Sequence, residues 1–408
     1  MKFRLPKTHK NLIIVFSVLI IFCTGFGLGQ NVGRSEALDP ISVTISREVP
    51  SSKNLDFSLF WQIWDDLESS YFDQSKVIPS EMVYGAIKGM VASLGDPYTT
   101  FLTPRENTIV EEDLGGNFEG VGIQIGFRSR ELAVIAPLPS SPAEIAGIKA
   151  GDYIVGIKDD AKGIDKGTAG ISLPQAVEDI RGPAGSTVTL ALLRDGSDEI
   201  FLVDVKRASI DVPSIVLSFV GQDESVAHVK LLKFGAETVD EWDEAVLDIQ
   251  KKNNLQGIII DLRNNTGGYL QASVDIASDF IDLGKIVVIE ERGNGERIEF
   301  LAERPTRLAQ IPMVILVNQG SASASEILAG ALRDQNKTQL IGEVTFGKGT
   351  IQEPRSVDGG GGLHITTARW LTPNDIWVNG EGLTPDNLIE DNPDTEVDEQ
   401  LEKALELL

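Results

Sequence analysis

The sequence predicts an α/β core with an inserted β-rich module, preceded by a small helical region. Three observations lead there. Apolar runs end in polar loops at 257–263 ("GIIIDLR") and 312–318 ("PMVILVN"), as buried strands of an α/β sheet do. Between residues 116 and 207, short strand-like runs alternate with glycine turns. Before them, residues 57–71 and 81–94 carry apolar side chains at helical spacing. The chain has 408 residues, room for two or three domains. Its 36 Lys and Arg against 61 Asp and Glu give a net charge of −25, with no basic stripe beyond the N-terminus. That balance argues against nucleic acid as a partner, since binding phosphate needs positive charge.

In chain order, Lys2, Arg4, Lys7 and Lys10 form a basic head, followed by an uncharged apolar run over 11–29. Residues 1–30 therefore read as a signal sequence or membrane anchor, with the head cytoplasmic and the remainder outside. No small-x-small cleavage site stands out, which favours a retained anchor in the inner membrane and the rest of the chain in the cell envelope. Cys23 is the single cysteine, so no intrachain disulfide can form, and three histidines without a cysteine cluster argue against structural zinc. Residues 31–55 are an unpatterned linker.

The helical region covers 56–115, with Ser80 the expected N-cap of its second helix and 95–106 ("GDPYTTFLTPRE") a turn-rich loop. Within 116–207 the pattern gives two strands, a short helix at 142–146, a strand ending near Ile157, a helix at 174–180 and two closing strands. This order, with "GIKAGDYIVGI", resembles a PDZ domain. Gly120, Val121, Gly122 and Ile123 precede a strand, where glycine lets several N–H groups converge on a terminal carboxylate. Arg181, at the end of the second helix, is either a solvated helix-end charge or a link between tail binding and a distant site. Residues 208–390 alternate strands and helices, and 391–408 form an acidic helical tail.

Two strand ends carry unusual loops. "DLRNNTGGYL" at 261–270 leaves the bare N–H groups of Gly267 and Gly268 near a helix start, where negative charge is favoured. "SASASEILAGAL" at 321–332 turns sharply from strand to helix on small residues. A serine there suits a nucleophile whose attack creates an oxyanion, although Ser321, Ser323 and Ser325 are all competent helix caps. A third stretch, "GEVTFGKGTIQ" at 342–352, comes close to a phosphate-binding loop. Gly349 stands where Ser or Thr should follow Lys348, and Pro354 argues against the helix such a loop needs. As a base for the serine, histidine is poorly supplied. His9 lies in the basic head, and His228 and His364 sit in strand-like runs. A lysine can serve if burial depresses its pKa, and Lys348 between glycines can approach a neighbouring backbone closely.

"SASASEILAGAL" followed by "GKGTIQ", with "DLRNNTGG" upstream, resembles the carboxyl-terminal processing (tail-specific) proteases. The likeness spans about residues 56–390, including "GDPYTTFLTP" and "GLTPD" at 382–386. It implies a crotonase-like α/β core split around the PDZ insertion. It also implies Ser323 as nucleophile, Lys348 as general base and Gln352 orienting the lysine. The oxyanion hole would comprise the N–H of Ala324 and one from Gly267 or Gly268, and no metal or cofactor would be required. The implied substrates are proteins or peptides with apolar C-terminal tails, delivered directly, by an adaptor, or to a homo-oligomer. Two other readings compete. A catalytically silent PDZ scaffold would have lost the serine or lysine, and both are present. Acyl-thioester chemistry would need a basic cluster for a phosphorylated cofactor, and none is evident.

Overall fold

The computed structural model describes residues 56–128, 131–138, 140–171, 173–194, 199–390 and 397–408. The apolar run at 11–29 lies outside these residues. Among those described, no helix is long and apolar enough to cross a membrane.

The chain divides into two units, ending at Leu94 and beginning at Gly95. In the first, α1 (Ser58–Ser70) buries Trp64, and α2 (Pro79–Ala92) buries Val91. Ser80 is not the cap expected of it. Pro79 occupies the first helical position and Ile78 the cap. Proline's fixed φ and missing N–H suit that position, which moves Ser80 inside the first turn.

The second unit opens with two elements where the sequence suggested only a loop. β1 (Thr100–Leu102) pairs antiparallel with a distant strand, and α3 (Pro104–Gly115) follows. Thr103 and Glu106 form a reciprocal capping box ahead of α3, with Pro104 at its first position. This T-x-x-E signature was legible in the sequence.

β2 (Asn117–Gly120) and β9 (Ala208–Asp211) then pair antiparallel, so the chain leaves and re-enters the core through one two-stranded stalk. Between them lie β3 (Ile123–Arg128), β4 (Glu131–Pro137), α4 (Pro142–Ile145), β5 (Tyr153–Asp159), β6 (Ile164–Gly167), α5 (Leu173–Ile180), β7 (Thr187–Leu193) and β8 (Ile200–Lys206). The strands pair in the order β3-β4-β5-β7-β8, with β6, which the sequence reading missed, attached to β5. Alternate residues such as Val188, Leu190 and Leu192 face inwards to a core of this module's own. A fully buried ion pair, Arg207 Nη2 to Asp159 Oδ2 at 2.7 Å, ties the end of β8 to β5, and Arg207 Nε also donates to the Ile180 carbonyl.

The core contains a six-stranded sheet. β10 (Ile215–Val220) runs antiparallel to β11 (Val226–Leu231). β12 (Gly257–Asp261), β15 (Met313–Val317), β16 (Gln339–Gly342) and β19 (Asn387–Leu388) then continue it in parallel. α6 (Thr238–Lys251), α7 (Leu270–Ala277) and α8 (Ala324–Asn336) bury one face with Trp242, Ile276 and Leu328. The terminal α9 (Glu399–Leu407) packs Leu401, Ala404 and Leu405 on the other face, over Ile259, Leu316 and Ile341. A second sheet joins β13 (Ile286–Arg292), β14 (Arg297–Leu301), β17 (Thr350–Ser356) and β18 (Gly362–Leu371) to β1. Pro354 sits in β17, which pairs only with β18, a position proline tolerates at a sheet edge.

Candidate active site

β12 and β15 are parallel neighbours, with Asp261 opposite Leu316, so the loops leaving their C-terminal ends must meet. Those loops are the two singled out in the sequence. Ser321 Oγ donates to the Leu262 carbonyl and Ser325 Oγ to the Asn265 carbonyl, each at 2.8 Å. The Ala322 N–H also donates to the Asn265 carbonyl, at 3.0 Å. Ser321 and Ser325 are both 0% exposed. The flanking serines thus fasten one loop to the other. Ser323 between them is only partly buried and heads α8 in a capping box with Glu326. Its backbone sits at φ 55°, ψ −115°, a conformation that costs a non-glycine residue of order 1–3 kcal/mol. Of the three serines, the capping position therefore falls to Ser323.

Ser323 is also tied to the lysine loop, through Glu326. This glutamate is 0% exposed. Its Oε2 accepts from the N–H groups of Ser323 and Lys348, both at 2.9 Å. Its Oε1 accepts from Thr345 Oγ1 at 2.5 Å and the Gly347 N–H at 2.8 Å. The Phe346 N–H donates to the Ser321 carbonyl at 2.9 Å, a further tie between the same loops. Sequence reasoning missed Glu326. The Ser-x-x-Glu spacing signalled the local half of the arrangement, but not that the carboxylate also holds residues 345–348.

Lys348 is half-buried between two glycines that leave no room for side chains. A Cβ on Gly347 would lie 2.8 Å from Gly382 N, and one on Gly349 would lie 2.6 Å from Trp377 Nε1. Burial pushes the Lys348 ammonium below the ordinary lysine range, opposed by the negative charges of Asp96 and Glu326. Its Nζ lies 5.3 Å from the centre of the Tyr98 ring. No hydrogen bond joins it to Ser323 Oγ among the described residues. Gln352 Nε2 donates to Thr350 Oγ1 at 2.8 Å and Thr366 Oγ1 at 3.1 Å, not to Lys348.

The two histidines among the described residues, His228 and His364, are packed or paired strand residues. His228 Nε2 lies 3.1 Å from Asp261 Oδ2, deep in the sheet, and Arg263 bonds the same carboxylate. That arginine and the His228 hydrogen bond hold Asp261 well below the usual carboxylate range against its burial. His364, in β18, is pushed down by burial and by the nearby Lys348 charge.

Of the two glycines, Gly267 spends its N–H on Asn265 Oδ1 at 2.9 Å. The Phe234 and Tyr269 N–H groups pair across the bridge to Gly268, bonding Gly267 O and Phe234 O, and among the described residues the Gly268 N–H has no acceptor. The Ala324 N–H, first in α8, has none within its helix. A Cβ on Gly267 would lie 2.8 Å from Ser323 Cβ and 3.0 Å from Ala324 N, so this turn sits directly against the serine. At Gly268, φ is 138° and a Cβ would lie 2.1 Å from the Phe234 carbonyl oxygen. Gly268→Ala is expected to shift the whole turn and lower the melting temperature by several degrees, which thermal unfolding of the variant checks.

A cleft of about 170 Å³ opens between β3 and α5, lined by Val121, Gly122, Ile123, Leu173, Val177 and Arg181 among others. Gly120 does not line it: it ends β2, opposite Ala208. Gly122 has φ 73°, and a Cβ there would lie 2.4 Å from Ser141 Cβ, so only glycine fits. Arg181 is no solvated helix-end charge. Its Nη1 bonds Glu112 Oε2 of α3 at 3.1 Å, and its guanidinium stacks 4.5 Å from the centre of the Phe118 ring.

Comparison with known proteins places this geometry in context. The profile of peptidase family S41 matches residues 225–389, the stretch holding the three loops. The carboxy-terminal processing protease CtpA of Bacillus subtilis (strain 168) is 33% identical over 372 residues, 91% of this chain and 74% of that protein. CtpB of the same organism is 29% identical over 91% of this chain and 76% of its own length. The solved photosystem II D1 C-terminal processing protease is 29% identical, covers 81% of this chain and 92% of its own, and superposes with a TM-score of 0.50.

Proposed function

The chain belongs to peptidase family S41, among the carboxy-terminal processing proteases, and from that premise we propose that it is a serine endopeptidase with a Ser323–Lys348 dyad. One observation carries the reading: the flanking serines of the 321–325 run are spent on the facing loop, and the middle one sits partly exposed at a strained elbow that Glu326 ties to the lysine loop. Lys348 turns toward Ser323 and, neutral, takes the proton from Oγ as Oγ attacks the substrate carbonyl. The N–H groups of Ala324 and Gly268 receive the oxyanion. Lys348 returns the proton to the leaving amine as the C–N bond breaks, leaving an acyl-enzyme. It then draws a proton from water, whose attack releases the product and restores Ser323. Gln352 orients the lysine once the two engage.

The core is read as crotonase-like, split around a PDZ module at 116–207. That module holds an apolar C-terminal side chain in the cleft and the tail carboxylate on N–H groups near Val121, Gly122 and Ile123. The N-terminal segment anchors the enzyme in the inner membrane with its catalytic part in the envelope. Tail capture is tested with the full chain and an unfolded substrate ending in an apolar tail, in the same tail amidated, or in two aspartates. Losing charge-assisted bonds to the carboxylate costs about 1.5–3 kcal/mol. KM for the altered tails should therefore rise roughly tenfold or more, with kcat changed little. Equal KM for all three tails would remove the PDZ module from substrate selection.

A further inference from the structure

The loop "GDPYTTF" at 95–101 takes no part in the dyad chemistry described above, yet it reaches the base. Tyr98 presents its ring face to Lys348 Nζ at 5.3 Å, within cation–π range, and the Asp96 carboxylate acts on the same ammonium. The loop holds this shape by its own bonds. Asp96 Oδ1 accepts from the Tyr98 N–H at 3.0 Å and Oδ2 from Thr99 Oγ1 at 2.6 Å. It also reaches Gln352. The Thr366 hydroxyl accepts from Gln352 Nε2, while the Thr366 N–H donates to Thr99 Oγ1 at 3.0 Å. One loop therefore contacts the lysine directly and the glutamine through one residue, in a conformation where, among the described residues, the lysine is hydrogen-bonded to neither Gln352 nor Ser323.

We propose that Asp96 and Tyr98 are positioning residues that form a resting cradle for the charged Lys348, holding it off Ser323 until the 95–101 loop yields. An aromatic face and a carboxylate both favour an ammonium over an amine, so the cradle suits the protonated lysine and not the base that catalysis needs. The charged and titratable groups facing Lys348 are Asp96 and Tyr98 from this loop, Glu326 from α8 and His364 from β18. Glu326 is committed to three backbone N–H groups and the Thr345 hydroxyl, and a charged His364 would repel the ammonium. That leaves the loop as the part able to release it.

The proposal rests on Lys348 being the base, so its test reads the lysine apart from turnover. Labelling of Lys348 by an amine-reactive reagent across pH, followed by mass spectrometry, titrates the amine in the full chain and in Asp96→Asn, Tyr98→Leu and Tyr98→Phe. Asp96→Asn and Tyr98→Leu should each move the titration about half a pH unit or more downwards, while Tyr98→Phe, which keeps the ring face, should stay with wild type. On the acidic limb of the proteolysis profile the first two should then work roughly threefold faster, with the alkaline plateau unchanged. Lys348 titration identical to wild type in Tyr98→Leu, or activity lowered at every pH in that variant while it remains folded, would overturn the cradle. If Asp96→Asn does not fold, the Tyr98→Leu and Tyr98→Phe pair decides alone. Shifted titration together with full proteolysis by Lys348→Ala would overturn the base assignment and leave the lysine contact standing.

Discussion

Ser323→Ala is expected to lower cleavage of an unfolded substrate by at least about 10³-fold, while Ser321→Ala and Ser325→Ala each stay within roughly tenfold of wild type. Removing a nucleophile ends the covalent route and leaves only what oxyanion donors and binding contribute. The flanking serines fail differently. Each donates one hydrogen bond to a carbonyl of the facing loop, Leu262 or Asn265. Deleting either should cost about 1–2 kcal/mol of stability with a modest misplacement of the elbow. Lys348→Ala should match Ser323→Ala in kcat. Lys348→Arg should be as inactive, because a guanidinium keeps its proton and cannot act as a base. This substitution separates loss of a base from loss of a cation over Tyr98, which arginine would preserve. Thermal unfolding confirms that each variant is folded. Ser323→Ala retaining a tenth of the wild-type rate would remove the serine mechanism, and Lys348→Arg doing so would remove the lysine from it.

Local chemistry was legible in the sequence, and long-range contact was not. The buried strands at 257–261 and 313–317 announced themselves as apolar runs, and the turns after them by their glycines and small residues. Sheet pairing then brings those turns together, which explains why motifs nearly sixty residues apart can be read as one site. Ser80 was misread because serine and proline both favour helix starts, and Pro79 took the first position. β1 escaped because its three residues become a strand only by pairing with β18 about 260 positions later. Gly267 and Gly268 look alike in the sequence, and only the fold shows the Asn265 side chain accepting from the Gly267 N–H. Lys348 lying over Tyr98 depends on a contact across 250 residues that no local pattern encodes. Glu326 is the clearest case. A buried carboxylate in a run of small apolar residues conflicts with the hydrophobic pattern, and such a conflict is itself a signal that partners must be waiting.

Those partners make Glu326→Gln the sharpest structural test of the site. Each carboxylate oxygen faces two donors: Thr345 Oγ1 and the Gly347 N–H on one side, the Ser323 and Lys348 N–H groups on the other. Glutamine has one acceptor oxygen and one NH₂, so either amide orientation turns a donor toward donors. Facing Ser323 and Lys348, it would orphan both backbone N–H groups. Facing Thr345, it could be met by a rotated hydroxyl, but the Gly347 N–H would still lack an acceptor. Leaving a buried donor unsatisfied costs about 1–3 kcal/mol, so stability should fall by roughly 2–4 kcal/mol in denaturant unfolding. The kinetic effect should exceed what stability alone implies, because the lost bonds hold the loops of Ser323 and Lys348, the proposed nucleophile and base, against each other. A displacement of about 1 Å between reacting groups can cost 10²-fold. The expected signature is kcat reduced about 10²-fold with KM within a few-fold of wild type, since the tail cleft lies on a module with its own core. Glu326→Asp should recover stability in part, by restoring two acceptor oxygens on a shorter arm, but less of kcat. Unfolding destabilised as predicted with kcat unchanged would reduce Glu326 to a packing role. A fall in kcat without rescue by aspartate would mean that the length of this side chain, and not only its charge, spaces Ser323 from Lys348.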